Sequence, residues 1–266
     1  MISRLYKYIL ISLLVLCMSF TEREESSFTF VQLCDTQLGM GGYEHDVKSF
    51  QQAVKQINAL HPDFVVICGD LVHNPTDSSY ADFKEIKSGF TIPCYCAPGN
   101  HDVGNIPNDS TLRYYRKTIG KDYYDFQYKG YAFILANSQL WKVTTEKESD
   151  KHDKWFKKTI QKQSRKQHPI FVIAHYPLYT VSPNEEEGYF NLSIVKRQQL
   201  LQLFKEYNVK AYLSGHAHKT VINKYENIQL VSGETTSKNF DQNPLGFRVW
   251  KVTSDRIEQH FVALED

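Results

Sequence analysis

The chain lacks most of what would make a simple class assignment possible. Its 5 cysteines contain no C-x-x-C pair, which removes a clustered thiolate metal site of the zinc-finger type. Cys94 and Cys96 sit two apart in a strand-like run, on one face but too far apart along the strand to bridge easily. Cys34, Cys68, Cys94 and Cys96 therefore read as buried free thiols in apolar strands. The formal net charge is only +1, which gives no electrostatic case for binding nucleic acid or an anionic membrane. No internal repeat and no low-complexity linker is present. What remains is 266 residues with 41% hydrophobic and 14% aromatic side chains, enough to bury a sizeable core.

The longest apolar stretch is itself short. Residues 1–19 place Arg4 and Lys7 ahead of an apolar run from Ile9 to Cys17. That pattern is a basic n-region with an h-region too short to span a bilayer comfortably, as in a secretory signal. Cleavage before Cys17 would leave a lipid-anchored lipoprotein, although Leu16 replaces the small residue usual there; cleavage after Ser19 would leave a free chain. An uncleaved signal anchor is the third option. The chain is thus expected to be exported, as a periplasmic, cell-surface or extracellular protein. Residues 20–27 form a polar tether, and residues 28–266 form one domain.

Within that domain the periodicity alternates. Strand-like runs at 28–34, 63–68 and 92–97 are separated by helical patterns at 45–60, with Phe50, Val54 and Ile57 in phase, and at 79–88. That rhythm predicts parallel strands with helices on both faces. A hairpin follows at 123–138 around Lys129-Gly130, then a helix at 148–167, a buried strand at 169–175 and a helix at 193–207 capped by Ser193. Short strands at 210–216, 220–226, 228–233, 247–253 and 256–264 complete the domain. The expected fold is a four-layer α/β/β/α sandwich of two mixed β-sheets flanked by helices.

Five of the strands end on chemistry. Asp35-Thr36-Gln37 follows the first, Gly69-Asp70 the second, and Gly99-Asn100-His101-Asp102 the third. His175 ends the fourth, and Gly215-His216-Ala217-His218 the fifth. Each alone is an ordinary turn or a core histidine. Together they are five clusters of oxygen and imidazole donors at the sheet edge where α/β proteins bind ligands. Carboxylate, amide and imidazole suit Mn, Fe or Zn. Two such cations about 3.5–4 Å apart can clamp a phosphoryl group and acidify a water.

The ordered set "D-x-Q … GD … GNHD … H … GHAH" resembles the calcineurin-like metallophosphoesterase superfamily, from about residue 28 to the last strands. The stretches "FVQLCDTQLGMGG", "GDLVHN" and "LANSQLW" resemble the calcineurin-like phosphoesterase domain-containing subgroup, whose eukaryotic members are protein Ser/Thr phosphatases. The resemblance implies two divalent or trivalent metal ions. Asp35 and His218 would hold the first, with Gln37 beside them either as a further ligand or replaced there by water; Asp70 would bridge, and Asn100, His175 and His216 would hold the second. His101 would stay off the metals and face the phosphate, there to stabilise charge or to protonate the leaving alkoxide. The superfamily more often has His where Gln37 stands. Its protein-phosphatase branch has Asp at the position of His73 to orient the catalytic His, so Asp102 and His73 itself are the candidate orienting residues. Asn74, Asn137 and Tyr176 flank the clusters and are candidates for lining the substrate pocket. Glu185, Glu186 and Glu187 read as a solvated acidic loop.

These readings converge on a monomeric phosphoesterase that acts on phosphomonoesters, including phosphoproteins, by direct attack of metal-bound hydroxide. Two rivals stand beside it. One is a phosphodiesterase acting on cyclic nucleotide, nucleic acid or lipid headgroup; the neutral charge disfavours long nucleic acid. The other is a non-catalytic exported binding protein on the same fold.

Overall fold

The computed structural model describes residues 27–265. The expected signal 1–19, Cys17 within it, and all but the last residue of the tether lie outside the described residues.

Strand β1 (Phe28–Leu33) shows how the layers arise. Its side chains alternate between two faces. Val31 and Leu33 pack toward helices, while Phe28 and Phe30 pack toward a second sheet. Strands β2 (Phe64–Cys68) and β3 (Cys94–Ala97) continue from β1 in parallel. Strands β10 (Gly246–Val252) and β11 (Ile257–Ala263) extend its other edge antiparallel. The order of this sheet is β11-β10-β1-β2-β3.

The second sheet is built from β4 (Tyr124–Tyr128), β5 (Tyr131–Leu135), β6 (Ile170–Ile173), β7 (Val209–Ser214), β8 (Val221–Tyr225) and β9 (Ile228–Ser232). Its order is β4-β5-β6-β7-β9-β8, with antiparallel pairs at both edges and parallel strands between. The β4–β5 hairpin turns at Lys129 (φ 43°) and Gly130 (φ 80°), the left-handed pair that a tight hairpin needs.

The helices among the described residues are α1 (Tyr43–Leu60), α2 (Asp77–Ser88), α3 (Asn100–Val103), α4 (Asp109–Thr118), α5 (Gln139–Lys142), α6 (Glu148–Arg165) and α7 (Ile194–Glu206). Phe50, Tyr80, Phe83 and Leu112 of α1, α2 and α4 pack on the outer face of the first sheet. Phe156, Ile160, Leu200 and Phe204 of α6 and α7 pack on the outer face of the second. Between the sheets lies an aromatic layer in which Phe30 stacks on Phe64 (5.1 Å) and Trp250 (5.7 Å) and meets Phe133 and Phe171 edge-on. These three apolar layers make the α/β/β/α sandwich that the sequence predicts.

One polar residue crosses the inter-sheet layer. Gln32 is fully buried; its Nε2 donates to the carbonyls of Ser214 and Val231, and its Oε1 accepts from the Trp250 indole. Full satisfaction makes a buried amide tolerable there. The four cysteines of the described residues are free; Cys34, Cys68 and Cys96 are buried, as the sequence predicts, whereas Cys94 is only half-buried. Helices α3, α4 and α5 were not anticipated. Two are 4 residues long, and α4 buries only Leu112 and Tyr115 in a charged stretch. No helix of the described residues is long and apolar enough to cross a membrane.

Candidate active site

The C-terminal ends of β1, β2 and β3 in one sheet and of β6 and β7 in the other open on a common edge. The backbone there is bent into conformations that side chains rarely adopt. Asp35 (φ 47°), Gln37 (φ 30°), Asp70 (φ 50°), His216 (φ 66°) and His218 (φ 50°) all lie in the left-handed region. Non-glycine residues held there cost of order 1–3 kcal/mol each and cluster at functional sites. Two glycines make the close approach possible. A Cβ on Gly99 would fall on the Asp70 carboxylate, and a Cβ on Gly215 would fall on that of Asp35.

Two sets of donor atoms converge there. Asp70, His175 and His216 form one; Asp35, Asp70 and His218 form the other; within each set the donor atoms lie within 4.8 Å of one another. Asp70 belongs to both. Asn100 joins the first set, with its Oδ1 3.0 Å from His175 Nε2. All of these side chains are buried.

The histidines are oriented by backbone. The carbonyl of Cys68 takes the Nδ1–H of His175 (2.9 Å), that of Tyr189 takes the Nε2–H of His216 (3.0 Å), and that of Lys238 takes the Nδ1–H of His218 (2.6 Å). Each ring therefore turns its other nitrogen, the lone pair, inward. His175 Nε2 and His216 Nδ1 then face each other at 3.1 Å, and His218 Nε2 faces the Asp35 carboxylate at 3.6 Å. The buried Gln37 Oε1 has no hydrogen-bond partner at all. Converging lone pairs are repulsive in a protein interior unless a positive charge, a metal ion or in its place a proton on His175 Nε2, lies among them. The donor set fits two metal ions with one shared carboxylate.

The charges are strongly linked. Burial would raise the Asp70 carboxyl, but His175 beside it, with Nε2 at 3.3 Å, holds it well below the usual range. Burial pulls the His175 pKa down, yet Asp70 and Asp35 carry it up to about 9. His216 moves the other way, to about 3, through burial and the charge of His175.

His101 stands apart from the donors, half-buried at the edge of the cluster. Its backbone N–H donates to Asp70 Oδ1 (2.9 Å), and its Nδ1–H donates to the carbonyl of His73 (2.8 Å). The His73 ring stacks on it at 4.7 Å. Residue 73 thus orients His101 through its backbone, which an aspartate side chain would otherwise do. The role considered for Asp102 is not the one observed. At the third position of α3 its carboxylate turns back to accept from the N–H groups of Gly99 and Leu71, away from the His101 ring. It pins the Asp70 loop to the Asn100 loop; burial and Asp70 raise its carboxyl to about 7.

The pocket candidates divide. Asn137 is corrected: it is fully buried, with its amide on Asp122, its Oδ1 accepting from Gln139 N–H and its N–H on His152, and it offers nothing to a substrate. Tyr176 is also buried and serves as the floor on which His216 rests, ring centroids 4.1 Å apart. Asn74 is exposed beside His73. The acidic loop is not simply solvated. The Glu185 carboxylate accepts from Asn191 and from the N–H groups of Thr180, Val181 and Ser182. Those bonds outweigh burial and hold its pKa near 2.

Sequence reasoning missed the braces behind the ligands. Ser237 donates to the Asp35 carbonyl, and the fully buried Arg197 donates to the carbonyls of Leu178, Pro183, Glu185 and Leu192. It also missed Tyr189, Phe190 and Phe240, whose rings lie against His216 and His218.

Comparison with known proteins agrees with this geometry. The calcineurin-like phosphoesterase family profile matches residues 28–220. The chain is 31% identical to the bovine (Bos taurus) serine/threonine-protein phosphatase CPPED1, over 92% of this chain and 87% of that protein. It is 32% identical to the human protein of that name, over 90% and 84%. A probable cyclic nucleotide phosphodiesterase of Ruthia magnifica is 25% identical over 83% of this chain and 92% of its own. Among solved structures, a dimetal phosphatase from Danio rerio shares the fold at TM-score 0.65 and 14% identity, covering 90% of this chain and 99% of that one. The Plasmodium protein GAP50, an anchor in the inner membrane complex, shares it at TM-score 0.66 and 17% identity, over 91% and 86%. With the profile spanning most of the domain and relatives above 30% identity along nearly the whole chain, the protein belongs to the calcineurin-like phosphoesterase family, metal-dependent hydrolases of phosphoric esters.

Proposed function

We propose that the chain is a phosphomonoesterase acting on phosphoserine and phosphothreonine in proteins. The observation that carries this is Asp70, shared by two converging donor sets with the half-buried His101 directly beside them. In this reading Asp35, Gln37, Asp70 and His218 hold one metal, and Asp70, Asn100, His175 and His216 the other. When bound, the two ions supply Lewis acidity to the phosphoryl oxygens and to the attacking water. Mn, Fe and Zn all suit these donors, with the neutral Gln37 amide tilting the first site toward harder ions such as Mn.

The remaining chemistry belongs to the protein. With Nδ1–H fixed on the His73 carbonyl, the other nitrogen of His101, Nε2, is left to hold the proton. The water oxygen bonds to phosphorus as the P–O ester bond breaks; the alkoxide takes the His101 proton, and the proton that the water loses returns to His101, giving alcohol and inorganic phosphate. The phosphoprotein substrate is favoured by the relatives named serine/threonine-protein phosphatases.

The test compares p-nitrophenyl phosphate, its bis-ester and phosphoserine peptides, each with Mn, Fe, Zn and Mg. Turnover of monoesters and peptides is expected. Preference for the bis-ester would favour a phosphodiesterase, as in the Ruthia magnifica relative. Bound metal with no turnover on any of them would favour a binding protein. The reading also includes export, supported by Arg4 and Lys7 ahead of the Ile9–Cys17 run, with Cys17 as a point of lipid attachment. Fractionation of the native cells, with the N-terminus mapped by mass spectrometry, tests it, and an unprocessed chain in the cytoplasmic fraction would overturn it.

A further inference from the structure

Three aromatic rings stand at the mouth of this polar site. Tyr189, Phe190 and Phe240 are 56%, 37% and 47% exposed. Single exposed apolar residues are unremarkable on a protein surface. These three are gathered at the two ends of one donor cluster. Tyr189 lies 4.8 Å from the His216 ring, with Phe190 edge-on to it and 5.6 Å from the same imidazole. At the other end Phe240 stacks nearly parallel on His218, at 4.5 Å and 15°.

The rings are held in place by their backbones. The Tyr189 carbonyl accepts from His216, and the Phe240 N–H donates to the His218 carbonyl. Arg197 and Glu185 fix the loop that carries Tyr189 and Phe190. The rings are not needed to set the imidazoles, which backbone carbonyls already orient. Their ring faces are also poor partners for a phosphate, because an aromatic face carries negative charge density; the Tyr189 hydroxyl, beside Asn100, is the one group among them able to donate to it. A phosphoryl group seated on the donors would direct the rest of its molecule past these rings. What they can bind well is apolar or aromatic surface, by offset or edge-on stacking.

We propose that Tyr189, Phe190 and Phe240 form a specificity rim that binds apolar or aromatic side chains flanking the phosphorylated residue of a peptide substrate. An extended peptide rises about 3.3 Å per residue, so residues on either side of a phosphoserine fall within reach of both ends of the rim. This inference rests on the phosphoprotein reading above.

The test uses two phosphoserine peptides of equal length and charge, one with Phe and Leu flanking the phosphoserine, the other with Gln in both places. The ratio of their kcat/KM values is read within each variant, so any change in metal loading cancels. The wild-type ratio should be about tenfold or more, the scale of apolar discrimination in a pocket. Tyr189→Ala and Phe240→Ala should each bring it to about twofold, and Tyr189→Phe, which keeps the ring, should retain it. Equal kcat/KM for the two peptides in the wild type would overturn the rim and leave the phosphopeptide reading standing. A wild-type preference that survives both alanine changes would overturn the assignment to these rings. Cleavage of p-nitrophenyl phosphate with neither peptide hydrolysed would overturn the phosphopeptide reading and the rim with it.

Discussion

His101 and Gln37 carry the sharpest consequences at the level of single residues. His101 contacts the donor cluster only through its backbone N–H on Asp70, so His101→Ala should leave both metals bound. Phosphoserine peptide turnover should fall by about 10²–10⁴, the usual contribution of a general acid. Hydrolysis of p-nitrophenyl phosphate should fall much less, because nitrophenolate leaves without a proton. An equal loss on both substrates, or lost metal in elemental analysis, would contradict the acid role. Gln37 is decided by its orphaned Oε1. Gln37→His should tighten the first metal site and shift its preference toward Zn, since imidazole nitrogen is the stronger donor; unchanged affinity and preference in metal titrations would place Gln37 outside the coordination shell. Residues of this kind were legible because carboxylate, amide and imidazole at five strand ends carry a chemical signature. The carbonyls of Cys68, His73, Tyr189 and Lys238, which orient four histidines, were not legible. Every residue has a carbonyl, and only the fold says which one points inward.

Among the elements, the strands and long helices follow their periodicity closely. The βαβ rhythm from β1 to β3 and the hairpin at Lys129-Gly130 were readable because burial on alternate faces and left-handed turns leave plain patterns. The segment between β6 and α7 was not. Its order comes from Arg197, one turn into α7, reaching back to four carbonyls, and from Glu185 accepting local N–H groups. Neither is a periodic signal. Arg197 sits where a helix normally buries Leu, and it is buried because the loop supplies its acceptors. Arg197→Met should therefore leave several buried carbonyls unpaired and cost about 3 kcal/mol. At about 2–4 °C per kcal/mol for a domain of this size, the Tm should drop by roughly 6–12 °C. Arg197→Lys should recover little, because one ammonium cannot span the same acceptors. Because this loop holds the Tyr189 carbonyl against His216, metal affinity should fall along with stability, which isothermal titration can read. Unchanged metal affinity with lowered Tm would show that the loop braces the fold without bracing the site.

For the whole molecule, the decisive fact is that the donor cluster draws on both sheets. Asp35, Asp70 and Asn100 follow strands of the first, and His175, His216 and His218 follow strands of the second. Bound metals should therefore join the two halves of the sandwich and stabilise it globally. A ligand at 100 times its Kd adds about 2.7 kcal/mol, or about 5–11 °C in Tm for a domain of this size. Chelation should lower the Tm by at least this amount, and Asp70→Asn, which alters the shared donor, should abolish the chelator effect. Acid should destabilise the metal-stripped protein through a separate group. His152 is fully buried against Trp141 and Trp155 and accepts the Asn137 N–H. Burial, helped by Lys196 and Arg116, lowers its pKa from 6.5 to about 3. Above pH 6.5 the imidazole is neutral folded or unfolded, and it contributes no pH dependence. Below that value the unfolded chain takes up a proton that the folded chain refuses until about pH 3. Stability should then fall toward about 1.4 kcal/mol for each further pH unit. Calorimetry in excess chelator between pH 7 and 4.5 separates this from metal loss. A His152→Gln variant, which keeps an acceptor for the Asn137 N–H but cannot titrate, should show a shallower fall in Tm over that range. Parallel curves for variant and wild type would assign the acid sensitivity to the coupled carboxylates and histidines of the active site instead.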